Sequence, residues 1–73
     1  MPKACTLIKA VPTAVDRILN EVKKMSAVKK AYIIYGRWDI VAFIEAPTLD
    51  MGKLSATINS MDGVRSSETL PEA

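Results

Sequence analysis

An α+β sandwich, with a four-stranded antiparallel sheet and two helices on one of its faces, is what this 73-residue sequence predicts. Three observations predict it. Strand-like and helix-like segments alternate in the order β-α-β-β-α-β. Both helix-like segments carry apolar residues at helical spacing. The two middle strands are joined by so few residues that they must run antiparallel. Two split βαβ halves in one small chain make the arrangement ferredoxin-like, a single domain over residues 1–73.

The first strand candidate runs from Ala4 to Ala10, with Thr6 and Ile8 favouring an extended backbone, and Pro12 breaks it. Thr13-Ala14-Val15-Asp16 has the outline of a capping box, with Asp in place of the usual Glu or Gln. Val15, Ile18, Leu19, Val22 and Met25 fall on one stripe, which predicts a helix over residues 14–25. Val28 to Tyr35 is rich in branched and aromatic residues and reads as the second strand. Gly36-Arg37-Trp38-Asp39 makes a tight connection, Gly36 being free to take a positive φ, and Ile40 to Glu45 is the third strand. Thr48 or Asp50 caps a second helix whose buried stripe is Met51, Leu54, Ile58 and Met61. Gly63 is read as its left-handed C′ residue, and Val64 to Leu70 is the last strand, stopped by Pro71.

A chain of this length buries only about 60% of its unfolded surface. Small domains usually add a disulfide, a metal or a partner chain. Cys5 is the only cysteine and histidine is absent, which removes an internal disulfide, a Cys/His zinc site and a histidine-based catalytic triad. Self-association is the staple that remains. The hairpin strands point the same way, because both of their faces are apolar: Ala31, Ile33 and Tyr35 alternate with Tyr32 and Ile34, and Ile40, Ala42 and Ile44 with Val41 and Phe43. Two helices cover one face only, so the other is expected to pack on a second copy.

Hydrophobic residues make up 49% of the chain and the net charge is +2, too small by itself to indicate a nucleic-acid partner. Residues 1–30 carry a net +5, including Lys23, Lys24, Lys29 and Lys30 near the first helix end. That cluster reads as a solvated helix end and edge guard, or as a nucleic-acid contact of a salt-sensitive, sequence-blind kind. No apolar run approaches the roughly 20 residues of a membrane span, and Lys9 interrupts any signal-like N-terminal stretch. A cytoplasmic setting is expected, with Cys5 a small buried hydrophobe rather than half of a metal or redox pair. No cofactor and no metal site is expected, and no nucleophile–base pair or phosphate loop stands out.

The richest stretch is Tyr35-Gly36-Arg37-Trp38-Asp39. It reads equally as a small-molecule site or as a turn in which Asp39 bonds local backbone and Trp38 packs at a subunit contact. As a site, backbone N–H groups around Gly36 suit a carboxylate and Asp39 suits an ammonium group.

These residues carry a family resemblance. Gly36-Arg37-Trp38-Asp39 is similar to the Gly-x-aromatic-Asp turn of the ligand-binding (RAM) domain of Lrp/AsnC-type transcription regulators. Gly63-Val64-Arg65-Ser66-Ser67-Glu68-Thr69 is similar to that domain's Gly-Val-x-x-Thr-x-Thr strand, with Ser67 in place of the first Thr. The resemblance covers the whole chain, without the regulators' helix-turn-helix segment. It implies a fold of the dimeric α/β barrel type, a homodimer built through the sheets, a ring of dimers, and an amino-acid effector near the contacts between dimers. Carried over position by position, it implies ligand-binding roles for Gly36, Arg37, Trp38 and Asp39 at the turn and for Ser67 and Thr69 on the last strand, and Tyr35, which opens the same stretch, is expected to line the site with them. A full-length regulator is then a possible partner, with no sequence-specific nucleic-acid binding and no catalysis by this chain. The alternatives are a small barrel enzyme such as a cofactor-independent monooxygenase, an ACT-type sensing domain, and a pure assembly module.

Overall fold

The computed structural model describes residues 1–72 and contains the expected order of elements. Strand β1 spans Lys3–Ala10, helix α1 Val15–Lys23, β2 Val28–Ile33, β3 Ile40–Glu45, α2 Thr48–Asn59 and β4 Val64–Pro71. The four strands form one sheet in the order β2-β3-β1-β4, with every neighbour antiparallel. The chain therefore has the ferredoxin-like arrangement, and β2 and β4 are the two edges of its sheet.

Period-two alternation on β1 sorts the faces. Ala4, Thr6, Ile8 and Ala10 are buried, while Cys5, Leu7 and Lys9 are only half-buried. The buried set lies under the helices with Ala42 and Ile44 of β3, Ala31 of β2, and Ile18 and Val22 of α1. Helix α2 contributes a single fully buried side chain, Ile58, while Leu54 and Met61 pack against the core from partly exposed positions.

Several local expectations are corrected. Pro12–Ala14 forms a separate 3-10 turn, and α1 starts only at Val15, without a side-chain cap bond from Thr13. Proline inside the turn supplies its fixed φ and lacks the N–H that a cap would satisfy. Helix α2 follows Pro47 and also has no side-chain cap bond, so neither Thr48 nor Asp50 caps it. Gly63 has a positive φ of 94°, but Ser60 caps α2 and Gly63 belongs to the turn into β4. Strand β2 stops at Ile33 because the ladder ends there: the last pair with β3 is Ile33 with Ile40. Tyr35 is consequently fully exposed in the connection rather than on a strand. Cys5 is not a core residue; it lies half-buried on the sheet face away from the helices.

Candidate functional site

The connection from residue 34 to residue 39 folds back onto the end of β1. Gly36 takes a φ of 123°, and a Cβ there would meet open space, so backbone conformation alone selects glycine. Asp39 is tied in three ways. Its N–H donates to the Ile8 carbonyl at 2.9 Å, and its carbonyl accepts from the Ile34 N–H at 2.9 Å. Its Oδ2 accepts from the Ala10 N–H at 2.8 Å. The third bond has a cause in the register. Alternation along β1 turns the Ala10 N–H toward β3, where the ladder ends at Ile8 with Ile40, and the carboxylate supplies the partner that the ladder no longer offers. Lys9 Nζ donates to the Arg37 carbonyl at 3.3 Å, Trp38 is half-buried and Arg37 is exposed. The backbone-bonding role weighed for Asp39 is thus real, though its partner is the backbone of β1, 29 residues away in sequence. One carboxylate oxygen is used there, and no hydrogen bond is made by Oδ1 among the described residues.

Ser67 and Thr69 sit elsewhere. Their register partners on β1 are Ile8 and Thr6, so both hydroxyls point beneath α2. Thr69 Oγ1 bonds Thr6 Oγ1 at 3.1 Å and also the Ser55 hydroxyl of α2. Ser67 Oγ donates to Asn59 Oδ1 at 3.2 Å. Thr6 is the one buried polar residue of the described core, and this chain of hydroxyls satisfies it. Ser55, Asn59 and Thr6 were missed by sequence reading. Their only signal was the presence of small polar residues at positions where α2 and β1 would otherwise be apolar.

Asp39 and Ser67 flank Ile8 from opposite sides, two strand spacings or about 10 Å apart. One α-amino acid carries its two charges only a few Å apart, so within a single chain it cannot span the turn and the β4 hydroxyls together. The turn residues are brought together; the β4 pair forms a second group under α2.

The open sheet face leaves several large apolar side chains partly exposed. Tyr32, Phe43 and Leu70 keep 47%, 40% and 46% of their areas, and the Tyr32 and Phe43 rings sit 5.9 Å apart. A concavity of about 480 Å³ on this face is lined by Cys5, Phe43, Leu70 and Lys30 among others. Burial pushes the Cys5 thiol above its ordinary pKa, so it is a poor nucleophile at neutral pH.

No family model and no curated protein sequence matches the chain. Solved structures do. TTHA0845 from Thermus thermophilus superposes with a TM-score of 0.95 at 24% identity, over 100% of this chain and 94% of that one. FFRP-DM1 gives 0.88 at 24% identity, over 100% of both chains. AsnC from E. coli gives 0.83 at 19% identity, over 97% of this chain and 50% of that one. The fold is the one these structures share, AsnC among them. Structural neighbours of this RAM-type fold thus include both chains of its own length and regulators about twice as long. No helix among the described residues is long and apolar enough to cross a membrane.

Proposed function

We propose that this chain is a self-assembling effector-binding domain of the Lrp/AsnC type, which binds a free amino acid and acts on transcription or amino-acid metabolism through its assembly. The observation that carries the reading is the full-length RAM-type fold combined with an anchored Gly36–Asp39 turn, whose aspartate keeps one carboxylate oxygen for an ammonium group. Backbone N–H groups of the turn take the ligand carboxylate, and Trp38 supplies apolar contact. Ser67 and Thr69 join the site from a neighbouring copy, since one chain holds them too far from Asp39 for a single ligand. The unit is a homodimer that assembles further into a ring of dimers, in the cytoplasm, with a full-length regulator as a possible partner. The chain itself does no catalysis and reads no DNA sequence; the regulators among its structural neighbours support that choice over a barrel enzyme.

A panel of the twenty amino acids in thermal-shift and calorimetric titrations tests the reading. One or a few amino acids are expected to raise the melting temperature of the assembled protein. The Asp39 bond to Ala10 requires two variants. Asp39→Ala leaves the Ala10 N–H without a partner and is expected to lose about 1–3 kcal/mol of stability as well as ligand. Asp39→Asn keeps an acceptor for that N–H and removes the charge. Its fold should hold while affinity drops roughly 10- to 150-fold, the effect of a charge-assisted bond of about 1.5–3 kcal/mol. Unchanged affinity in Asp39→Asn rules out this site, and the absence of any amino-acid effect on melting or assembly leaves only the assembly module.

A further inference from the structure

Strand β2 is an edge of the sheet, and its outer side has no strand neighbour. The ladder to β3 decides which of its backbone groups are left over. The Ile34 N–H donates to the Asp39 carbonyl at 2.9 Å, so Ile34, Tyr32 and Lys30 turn their N–H and C=O groups toward β3, and alternation turns those of Ala31 and Ile33 outward. Among the described residues no backbone–backbone hydrogen bond outside the ladder uses Ala31 or Ile33. Two donors and two acceptors thus lie in the plane of the sheet, repeating about every 6.8 Å along the strand. That is the spacing at which a further strand docks.

The charge along this edge has one sign. Residues 22–38 hold Lys23, Lys24, Lys29, Lys30 and Arg37 and no acidic residue. Lys23, Lys29 and Lys30 line a concavity of about 490 Å³ with Val28, Ala31 and Tyr32. Among the described residues none of the four lysines makes an ion pair within 4.0 Å, and Lys29 Nζ reaches the Ser26 carbonyl at 3.5 Å. The acidic residues of the flanking elements are engaged or distant. Glu21 of α1 is paired with Arg17 and Glu45 of β3 with Lys3, Asp16 lies at the other end of α1, and Asp39 bonds the Ala10 N–H. Asp50 shares a separate hollow with Lys29 and Lys53. The other edge is mixed: β4 carries Arg65 and Glu68, with Lys9 on the adjacent β1 and Glu72 just past its end. Lysines on an edge commonly guard it against pairing. Here they stand before the segment whose backbone is free, not on it. Ala31, Tyr32 and Ile33 carry no charge, and Tyr32 and Ile33 are exposed. The lysines set like charge against a second β2 and leave the uncharged half open to a strand of opposite charge.

We infer that the β2 edge takes an extended acidic segment of another protein as a fifth strand, bonded through backbone to Ala31 and Ile33 and steered by Lys23, Lys29 and Lys30. This goes beyond the amino-acid reading above and does not depend on it. The free backbone groups lie in the sheet plane rather than on either face, so a chain packed on the open face leaves them available. A nucleic-acid strand would satisfy the lysines but has no ladder of N–H and C=O groups to offer Ala31 and Ile33, and the free edge therefore favours a peptide.

The probe is a short labelled peptide in which glutamate alternates with valine and threonine. Its glutamine counterpart and a single-stranded DNA oligonucleotide serve as comparisons. Fluorescence anisotropy reads affinity, and amide exchange by NMR reads the edge. In the protein alone the Ala31 and Ile33 amides should exchange faster than that of Tyr32, which faces β3, and the glutamate peptide should slow them selectively. The variant Lys29→Gln/Lys30→Gln changes only exposed side chains, and at low salt it should bind that peptide about tenfold or more weakly. The glutamine peptide should lose a similar factor on the wild-type protein. Ile33→Pro removes an outward N–H and leaves the β3 side of the strand bonded, a change that edge strands tolerate. With its fold checked by circular dichroism, it too should bind about tenfold more weakly. No binding of the glutamate peptide overturns the inference, and so does slow exchange at Ala31 and Ile33 before any peptide is added, because the edge is then already occupied. DNA that binds as tightly as the peptide, together with unchanged peptide affinity in Ile33→Pro, also overturns it: the lysines would then hold a polyanion without adding a strand.

Discussion

Gly63→Ala is expected to be among the most destabilising single substitutions in this chain, with a loss of about 3 kcal/mol or more in denaturant unfolding at fixed protein concentration. Two costs coincide there. The φ of 94° disfavours any side chain, which alone is worth about 1–2 kcal/mol. The new Cβ would also sit 2.6 Å from the Ala14 Cβ, with the Arg17 guanidinium and Ile18 methyl close behind. Neither Cβ can rotate away, so backbone must move. The backbone at risk holds the Gly63 carbonyl that accepts from the Val11 N–H at 2.8 Å, a bond that ties the turn before β4 to the end of β1. Gly36→Ala is the natural comparison, because it meets the φ cost at 123° with no clash. A loss at Gly63 no larger than at Gly36 would show that the close packing of the turn on Ala14 is wrong.

Ile58→Ala is the second large effect. A chain of 73 residues has about 4–11 kcal/mol of stability in total. Ile58 is fully buried and is the one α2 side chain that is, while the seam to β4 runs through hydroxyls of Ser55, Thr69 and Thr6. Truncating it opens a cavity under a helix with little else to hold it, and a loss of about 3–4 kcal/mol is expected. Much of the protein would then unfold at low concentration, and hydrogen exchange should show α2 amides opening first. Leu49→Ala, on the same helix but 91% exposed, should stay within about 0.5 kcal/mol of wild type. Equal effects from the two would contradict this account of how α2 is docked.

Local rules carried much of the fold. The stripes of α1 and α2, the third strand Ile40–Glu45 and the positive φ of Gly36 and Gly63 all follow from spacing and residue type. What local rules could not see was where pairing stops. Ile34 and Tyr35 have the composition of a strand, yet the last ladder pair with β3 is Ile33 with Ile40, and beyond it only the Ile34 N–H finds a partner, the Asp39 carbonyl. The caps failed for a similar reason: Pro12 and Pro47 set the backbone at both helix starts, and the nearby Thr and Asp side chains are not used. Cys5 looked like core because its strand is apolar throughout, whereas burial on β1 alternates strictly and Cys5 has the other parity.

The site was legible as a set of residue types and not as a set of contacts. Asp39 and Gly36 stood out because a tight turn does not need Arg, Trp and Asp together. That Asp39 serves the Ala10 N–H depends on where the β1–β3 ladder ends, at Ile8 with Ile40, which local sequence does not show. Likewise Thr69 meets Thr6 across 63 residues of chain and Ser55 across 14. Such partners become visible only once the strand order β2-β3-β1-β4 is known.

The open sheet face joins these threads, because the proposed ligand site and the marginal core both need a second chain. Sedimentation of the wild-type protein across micromolar concentrations tests that need most directly. The account predicts a dimer or a larger closed assembly throughout, with an unfolding midpoint that rises with protein concentration. A folded, stable monomer over the same range, with Tyr32, Phe43 and Leu70 left in water, would contradict it.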